Sequence, residues 1–429
     1  MDFCKRNGAW SDCENRKVLT QKGSFMKEKL QQKKIQTMFW AAVLVFLCCY
    51  FVMLFDFPNR ITILIGSIVC LMLWYTQKKF RLDLNTCLLT VTIASYYIIL
   101  YGTRAFTMSL PYVGILMYVL GHYLSGQVRE KDNYENYYML FLFAIVLGHS
   151  LHGILNSVLF LDGQFFEDDF RVWQDIWMQI PLPGTQQIVY FLPVLAMVFP
   201  AIVWFRKRKC ANVLMLVTAV FFIYISMASQ TRTSVLILPL VFAVQMLVYM
   251  IMEWERVKKI LTHRNTKIVI GIVLVVLIAA ILILKDHPLV SSFIGIMGRD
   301  GGIFNNIRFK LQRSALQQLF LYPMGGDQMD FMGYPYAHNA WLDMANEAGW
   351  IPFFAFAVYT FHVVYELIRW LGKKEVSTER KIILTGIFGA FFLYYTVERA
   401  FDGSMHFMTP WFFMNGLVHG ELAKDQKRR

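Results

Sequence analysis

Apolar residues along this 429-residue chain come in long unbroken runs, without the alternation of half-buried strands or the one-sided stripes of soluble helices. About 20 apolar residues in a row carry a helix across a bilayer core. Runs of that kind predict spans at about 37–56, 60–76, 84–101, 108–124, 137–160, 186–205, 213–229, 234–252, 268–284, 350–371, 382–399 and 406–422. A β-barrel, the other structure that satisfies its own backbone in lipid, would alternate at every second residue. The expected fold is therefore all-α, a polytopic membrane bundle of about 12 transmembrane helices. Pro111, Pro193, Pro200 and Pro410 fall inside helices or at their rims. A bundle tolerates such prolines because neighbouring helices supply partners for the freed carbonyls.

Polar stretches divide the chain. A basic tail (1–36) precedes helices 1–9 (37–284); a large loop (285–349) separates these from helices 10–12 (350–422), and a short basic tail follows (423–429). One other segment is long for a connection, about 161–185. No internal repeat and no inverted-repeat hydropathy of the transporter kind is visible.

Charge gives the bundle a direction. Only 17% of residues are charged against 57% hydrophobic and 16% aromatic, yet the net charge is +13. About 32 of the 42 Lys and Arg fall on one side of the predicted membrane, including Arg206 to Lys209, Arg256 to Lys267 and both tails. That side is expected to be cytoplasmic, which places both termini inside and the 285–349 loop outside. The positive charge is then a topological signal with anionic lipid headgroups as its partner, and a nucleic-acid partner is excluded. The polar N-terminus lacks a signal-peptide layout, so the first span is expected to stay uncleaved. Cys4, Cys13 and Cys210 are expected inside and Cys48, Cys49, Cys70 and Cys87 in spans, so no disulfide framework or zinc site is implied.

Candidate chemistry concentrates in the large loop. Gly298-Arg299-Asp300-Gly301-Gly302 is rich in turn formers. Asn305-Asn306-Ile307-Arg308 leads a helix to about Leu321, with Ile307, Leu311, Ala315 and Leu319 on one apolar face and Leu316 and Phe320 beside it. Such a helix is expected along the membrane surface, with Lys310 and Arg313 pointing elsewhere. Tyr322-Pro323-Met324-Gly325-Gly326 ends it, and Tyr336-Ala337-His338-Asn339-Ala340-Trp341-Leu342-Asp343 and Glu347-Ala348-Gly349-Trp350 follow.

The order of these residues over 299–353, with Ser229-Gln230-Thr231-Arg232-Thr233-Ser234 before the eighth span, resembles the O-antigen ligase and Wzy-type O-antigen (capsular polysaccharide) polymerase family. The resemblance implies a GT-C-like bundle in the cytoplasmic (inner) membrane of a bacterium. It further implies metal-independent transfer of a glycan, without a cofactor, from a polyprenyl (undecaprenyl) pyrophosphate donor to an acceptor sugar hydroxyl outside that membrane. A chain-length regulator and a flippase would be partner proteins. Carried over by position, Arg232 and Arg308, with Arg299, would bind the pyrophosphate, whose developing charge calls for preorganised cations. His338 would be the general base, since imidazole titrates near neutral pH. Asn339 would place the loop and Asp343, one turn on, would orient the imidazole.

Other readings stay open on sequence alone. Glu398 and Arg399, at the outer end of the eleventh span, either line the acceptor cavity or pair locally with Asp402. His149 and His152 share a helix face, as an interhelical contact or a metal pair. Glu167-Asp168-Asp169 reads as a solvated acidic loop more than a metal site, while Trp173, Trp177, Pro181 and Pro183 read as an interfacial aromatic belt. Arg104 is a further outer arginine. A transporter or flippase of a lipid-linked glycan is the alternative function. It would need no base in an outer loop and would carry basic residues deep in its spans. A receptor-like protein without catalysis accounts for the spans but not for the motif order.

Overall fold

The computed structural model of the protein describes residues 25–26, 82–107, 112–127, 134–160, 172–174, 181–183, 188–228, 231–262, 295, 306–399 and 408–426. The first helices are α1 (Leu84–Tyr101), α2 (Val113–Gln127) and α3 (Tyr134–Phe160), followed by a ribbon of β1 (Val172–Gln174) and β2 (Pro181–Pro183). Two short helices, α4 (Leu192–Leu195) and α5 (Val198–Val203), lead to α6 (Lys209–Ala228), α7 (Arg232–Met252) and α8 (Trp254–Thr262). The large loop contributes α9 (Ile307–Gln318) and α10 (Ala340–Ala348), and the chain returns through α11 (Trp350–Leu371), α12 (Thr378–Tyr395) and α13 (Thr409–Gln426).

Among the described residues, four helical segments are long and apolar enough to cross a membrane: Leu84–Ala105, Lys209–Met227, Val235–Met252 and Trp350–Leu371. Their outward faces are built for lipid. Along α11, Ile351, Phe354, Val358, Phe361, Tyr365 and Ile368 are all exposed at helical spacing, a stripe that water would not tolerate on a soluble protein. The described residues thus form an α-helical, membrane-embedded bundle with one short ribbon. The predicted spans at 37–56, 60–76 and 268–284 lie outside the described residues.

One predicted span takes a different form. Residues 186–205 were expected as a single helix, but a 3-10 turn (Ile188–Phe191) is followed by the separate α4 and α5. Pro193 and Pro200 account for the break, since each removes an N–H from the helical ladder. The carbonyl of Ala196 loses its helical donor at Pro200, and Gln245 of α7 replaces it, donating from Nε2 at 2.7 Å. The same amide donates to the carbonyl of Ile382 on α12 at 3.0 Å. Gly386 makes room for it, because a Cβ there would lie 2.0 Å from that nitrogen. Gln245→Leu should therefore destabilise the bundle by about 1–3 kcal/mol, the cost of a buried polar group left unpaired. The check is the thermal midpoint of the purified protein, and an unchanged midpoint would mean that the carbonyl needs no replacement donor.

Close helix contacts depend on glycine. Cβ atoms at Gly121 and Gly416 would sit 2.2 Å and 2.0 Å from carbonyl oxygens of the facing helix, and one at Gly420 would sit 1.9 Å from Ser125 Oγ. These three residues let α2 and α13 meet backbone to backbone, as small residues do where no water drives association. Around them an aromatic core of Phe356, Tyr359, Phe388, Tyr395 and Trp411 packs largely edge to face. The 172–183 ribbon, read from sequence as an interfacial belt, pairs Val172 with Pro183 and Gln174 with Pro181. Three residues per strand are too few to show alternation.

The large loop has its own core. The predicted face of α9 does not lie free on a surface: Leu311, Ala315 and Leu319 pack with Met329, Phe331, Ala337, Leu342 and Ala345, with Ile307 at the edge. Leu316 and Phe320 remain exposed beside it.

Candidate functional site

Local sequence places each candidate side chain before tertiary contacts bring them together. Asn306 caps α9, its side chain accepting from the Arg308 amide at 3.0 Å, so Arg308 leaves from the first turn. Asn339 caps α10 by accepting from the amides of Trp341 and Leu342, both at 3.1 Å. Gly325 and Gly349 both have positive φ, and a Cβ on Gly349 would lie 2.3 Å from the carbonyl oxygen of Pro323. The Pro-Met-Gly-Gly turn thereby docks beneath the α10–α11 junction, where the Trp350 amide donates to the Pro323 carbonyl at 2.9 Å.

His338 itself has φ 57°, a left-handed conformation that costs a non-glycine residue about 1–2 kcal/mol. Asp343 holds it there. Its two carboxylate oxygens accept from the amides on either side of His338, Ala337 at 2.6 Å and Asn339 at 2.8 Å. Burial pushes the Asp343 carboxyl up to about 6, with the Asn339 and Ala337 amides pulling the other way. Since the folded value exceeds the 3.8 of a free aspartate, this group favours the fold most below about pH 4 and loses that contribution as pH rises through 6. Asp343→Asn should remove this pH slope. It should also cost about 1–3 kcal/mol, because one backbone N–H would face an NH₂. Denaturation between pH 4 and 7 measures both, and an unchanged slope would assign the titration to another group.

Three chain segments then converge. Gln312 of α9 donates from Nε2 to the His338 carbonyl at 3.1 Å and to the Thr396 carbonyl at 2.8 Å, and Asn339 donates to the same Thr396 carbonyl at 3.1 Å. This ties the loop to the end of α12. Arg308 Nη1 donates to Thr233 Oγ1 at 2.9 Å and to the Val397 carbonyl at 2.8 Å, and pairs with Glu398 Oε1 at 2.5 Å. The other Glu398 oxygen faces His338 Nδ1 at 3.6 Å, an ion-pair distance too long for a hydrogen bond. Glu398 is only 6% exposed, against 18% for both Arg308 and His338. A buried carboxylate thus bridges a guanidinium and an imidazole that are each partly exposed.

A second ion pair borders the first. Arg399 pairs with Glu347 at 2.6 Å, Glu347 also accepts from the Tyr96 hydroxyl of α1, and the Tyr336 ring contacts both the Arg399 guanidinium and the His338 ring.

The structure brings together Arg308, His338, Asn339, Asp343 and Glu398, with Arg399 at the border. Asp343 meets the backbone around His338, whereas the carboxylate facing the imidazole is Glu398. Arg232 opens α7 next to Thr233, but its side chain lies outside the described residues, as do Arg299, the Glu167–Asp169 triplet and Asp402. His149 and His152 are buried against the Tyr190 ring, with Phe391 also beside His149. Thr233 and Gln312 were not singled out from sequence; neither has a local pattern, although Thr233 adjoins the candidate arginine. Among the described residues, the side chains with metal-ligand spacing are Asp83, His122 and His419, away from this site. No protein-family model matches the chain, and no curated protein matches it.

Proposed function

We propose that the protein is a membrane glycosyltransferase. It transfers or polymerises glycan units from a polyprenyl-pyrophosphate carrier onto an acceptor sugar hydroxyl, at the outer face of the cytoplasmic membrane. The observation that carries this reading is the convergence of Arg308 and His338 on Glu398. A fixed cation and a candidate base stand side by side, on a loop clamped to the membrane bundle. Twelve spans with both termini inside, as the charge asymmetry predicts, would put this convergence on the side where lipid-linked glycans are assembled.

In the proposed reaction the acceptor oxygen attacks the anomeric carbon, the carbon–oxygen bond to the pyrophosphate breaks, and the lipid pyrophosphate leaves. His338 takes the acceptor proton at Nε2, with Glu398 stabilising the imidazolium through Nδ1. The hydrogen bonds described for Arg308 all use Nη1, which leaves Nη2 and Nε for pyrophosphate oxygens. Arg232 is positioned by sequence as a second phosphate ligand.

Purified protein given a defined polyprenyl-pyrophosphate glycan tests the reading. A ladder of products means a polymerase and a single transfer a ligase. No product, with lipid-linked glycan moved across proteoliposomes, would replace the proposal with a flippase. Orientation is tested separately in a variant whose seven native cysteines are replaced by serine. A cysteine placed at the exposed Gln328 should react with an impermeant maleimide on intact cells, and one at the exposed Lys258 should not. The opposite pattern would put the site in the cytoplasm and defeat the proposal.

A further inference from the structure

The far end of the bundle holds a second polar cluster, which the transfer reaction does not use. Along α11, Glu366 lies about 24 Å from Trp350, where the large loop ends. Asp83 caps α1, its Oδ1 accepting from the Thr86 amide at 2.8 Å and the Tyr118 hydroxyl at 3.1 Å. Its Oδ2 points at two imidazoles, His122 Nδ1 at 3.0 Å and His419 Nε2 at 3.7 Å. These rings, 4.9 Å apart, come from α2 and α13, the helices that the glycine contacts hold together.

A second carboxylate settles the tautomer of His419. Glu366 Oε1 lies 2.5 Å from His419 Nδ1, while Glu366 Oε2 accepts from Asn85 Nδ2 at 2.7 Å. Because a carboxylate only accepts, the Glu366 contact fixes the amide's orientation, and Asn85 Oδ1 then lies 2.7 Å from His362 Nδ1. An ionised carboxylate only accepts, so His419 Nδ1 carries the proton, and in the neutral ring Nε2 presents a lone pair to the Asp83 oxygen. Two electron-rich atoms converging in this way need a positive charge between them, which either a proton on His419 Nε2 or a metal ion supplies. A metal-bound imidazole usually donates its other N–H to a carboxylate, as His419 Nδ1 does to Glu366.

We infer that Asp83, His122 and His419 bind a divalent transition-metal ion of the zinc class, with Glu366 orienting His419. Two imidazoles and one carboxylate suit zinc and its neighbours, where magnesium and calcium take oxygen ligands. Zinc bonds of about 2.0–2.1 Å in a tetrahedron separate ligand atoms by about 3.3 Å. The three atoms here all lie within 4.8 Å of one another, so small rotations of the rings close the set. Three protein ligands leave a fourth position for water or an external oxygen. The ligand side chains are 15–20% exposed, so an ion can reach them.

The test uses the full-length protein in detergent, stripped with chelator and titrated with Zn²⁺ or Co²⁺. One Zn²⁺ per chain by elemental mass spectrometry is expected, together with the visible absorption of tetrahedral Co²⁺. His122→Gln and His419→Gln should each abolish stoichiometric binding, and Glu366→Gln should weaken it about 10–100-fold. X-ray absorption of the wild-type zinc protein, which needs no variant to fold, should show two imidazoles in the metal shell. A wild-type protein without stoichiometric metal overturns the inference, as does a shell lacking imidazole or binding that survives both histidine substitutions. The cluster would then be a proton-sharing network of histidines and carboxylates.

Discussion

Replacing His338 by asparagine should lower the rate of glycan transfer about 10²–10⁴-fold, roughly 3–5 kcal/mol in the barrier, while leaving donor binding within a few-fold of wild type. Asparagine is the informative substitute because it tolerates the left-handed backbone that His338 adopts at φ 57°. Alanine would remove the imidazole too, but it would add a backbone penalty of about 1–2 kcal/mol in a loop pinned at Ala337 and Asn339. Loss of rate in the alanine variant alone would therefore report the loop, and loss in both reports the ring. Donor affinity should hold because the pyrophosphate contacts assigned to Arg308 remain. A His338→Asn protein at normal membrane levels with near wild-type turnover would remove His338 from the mechanism.

Arg308→Ala should be the most damaging single change to the site, in stability as well as activity. Glu398 is 6% exposed and its Oε1 meets the guanidinium at 2.5 Å. Removing one member of a buried pair commonly costs about 3–5 kcal/mol, because the remaining charge is left uncompensated. Arg308 is itself 18% exposed, which places the expected loss at the lower end of that range. Lysine should rescue only in part. Its compact ammonium cannot bond Thr233, the Val397 carbonyl and Glu398 while offering a planar pair of donors to a phosphate. The double variant Arg308→Ala with Glu398→Gln separates the two roles. Neutralising the stranded carboxylate should return most of the stability, while turnover should stay well below that of Glu398→Gln alone. A double variant as active as Glu398→Gln would make Arg308 a structural partner of Glu398 and no ligand of the donor.

Local signals in the sequence were enough for much of the helical framework. The runs predicted at 84–101, 213–229, 234–252 and 350–371 correspond to α1, α6, α7 and α11 within a few residues, since a continuous apolar segment has one way to satisfy its backbone in lipid. The α9 helix, its apolar face and the stop at Pro323-Met324-Gly325-Gly326 are equally local, although that face, expected along the membrane surface, packs inside the loop. They depend on residues within about one helical turn of one another.

Tertiary structure decided what each polar side chain faces. Asp343, spaced one turn from the imidazole, turns back to the amides around His338. Glu398, 60 positions along the chain, faces the ring instead. Thr233 enters because α7 begins beside the end of α12, and the break at Pro200 is stabilised by Gln245 from another helix. The Asp83, His122 and His419 cluster has no spacing to detect: Asp83 caps α1, and the two histidines come from α2 and α13, which meet through Gly121, Gly416 and Gly420. The physical reason is range. Hydrophobic periodicity and capping act over neighbouring residues and can be read along the chain, whereas ion pairs and ligand sets form wherever packing brings charged groups out of water together. In this protein that packing joins residues more than 330 positions apart, Asp83 and His419 among them.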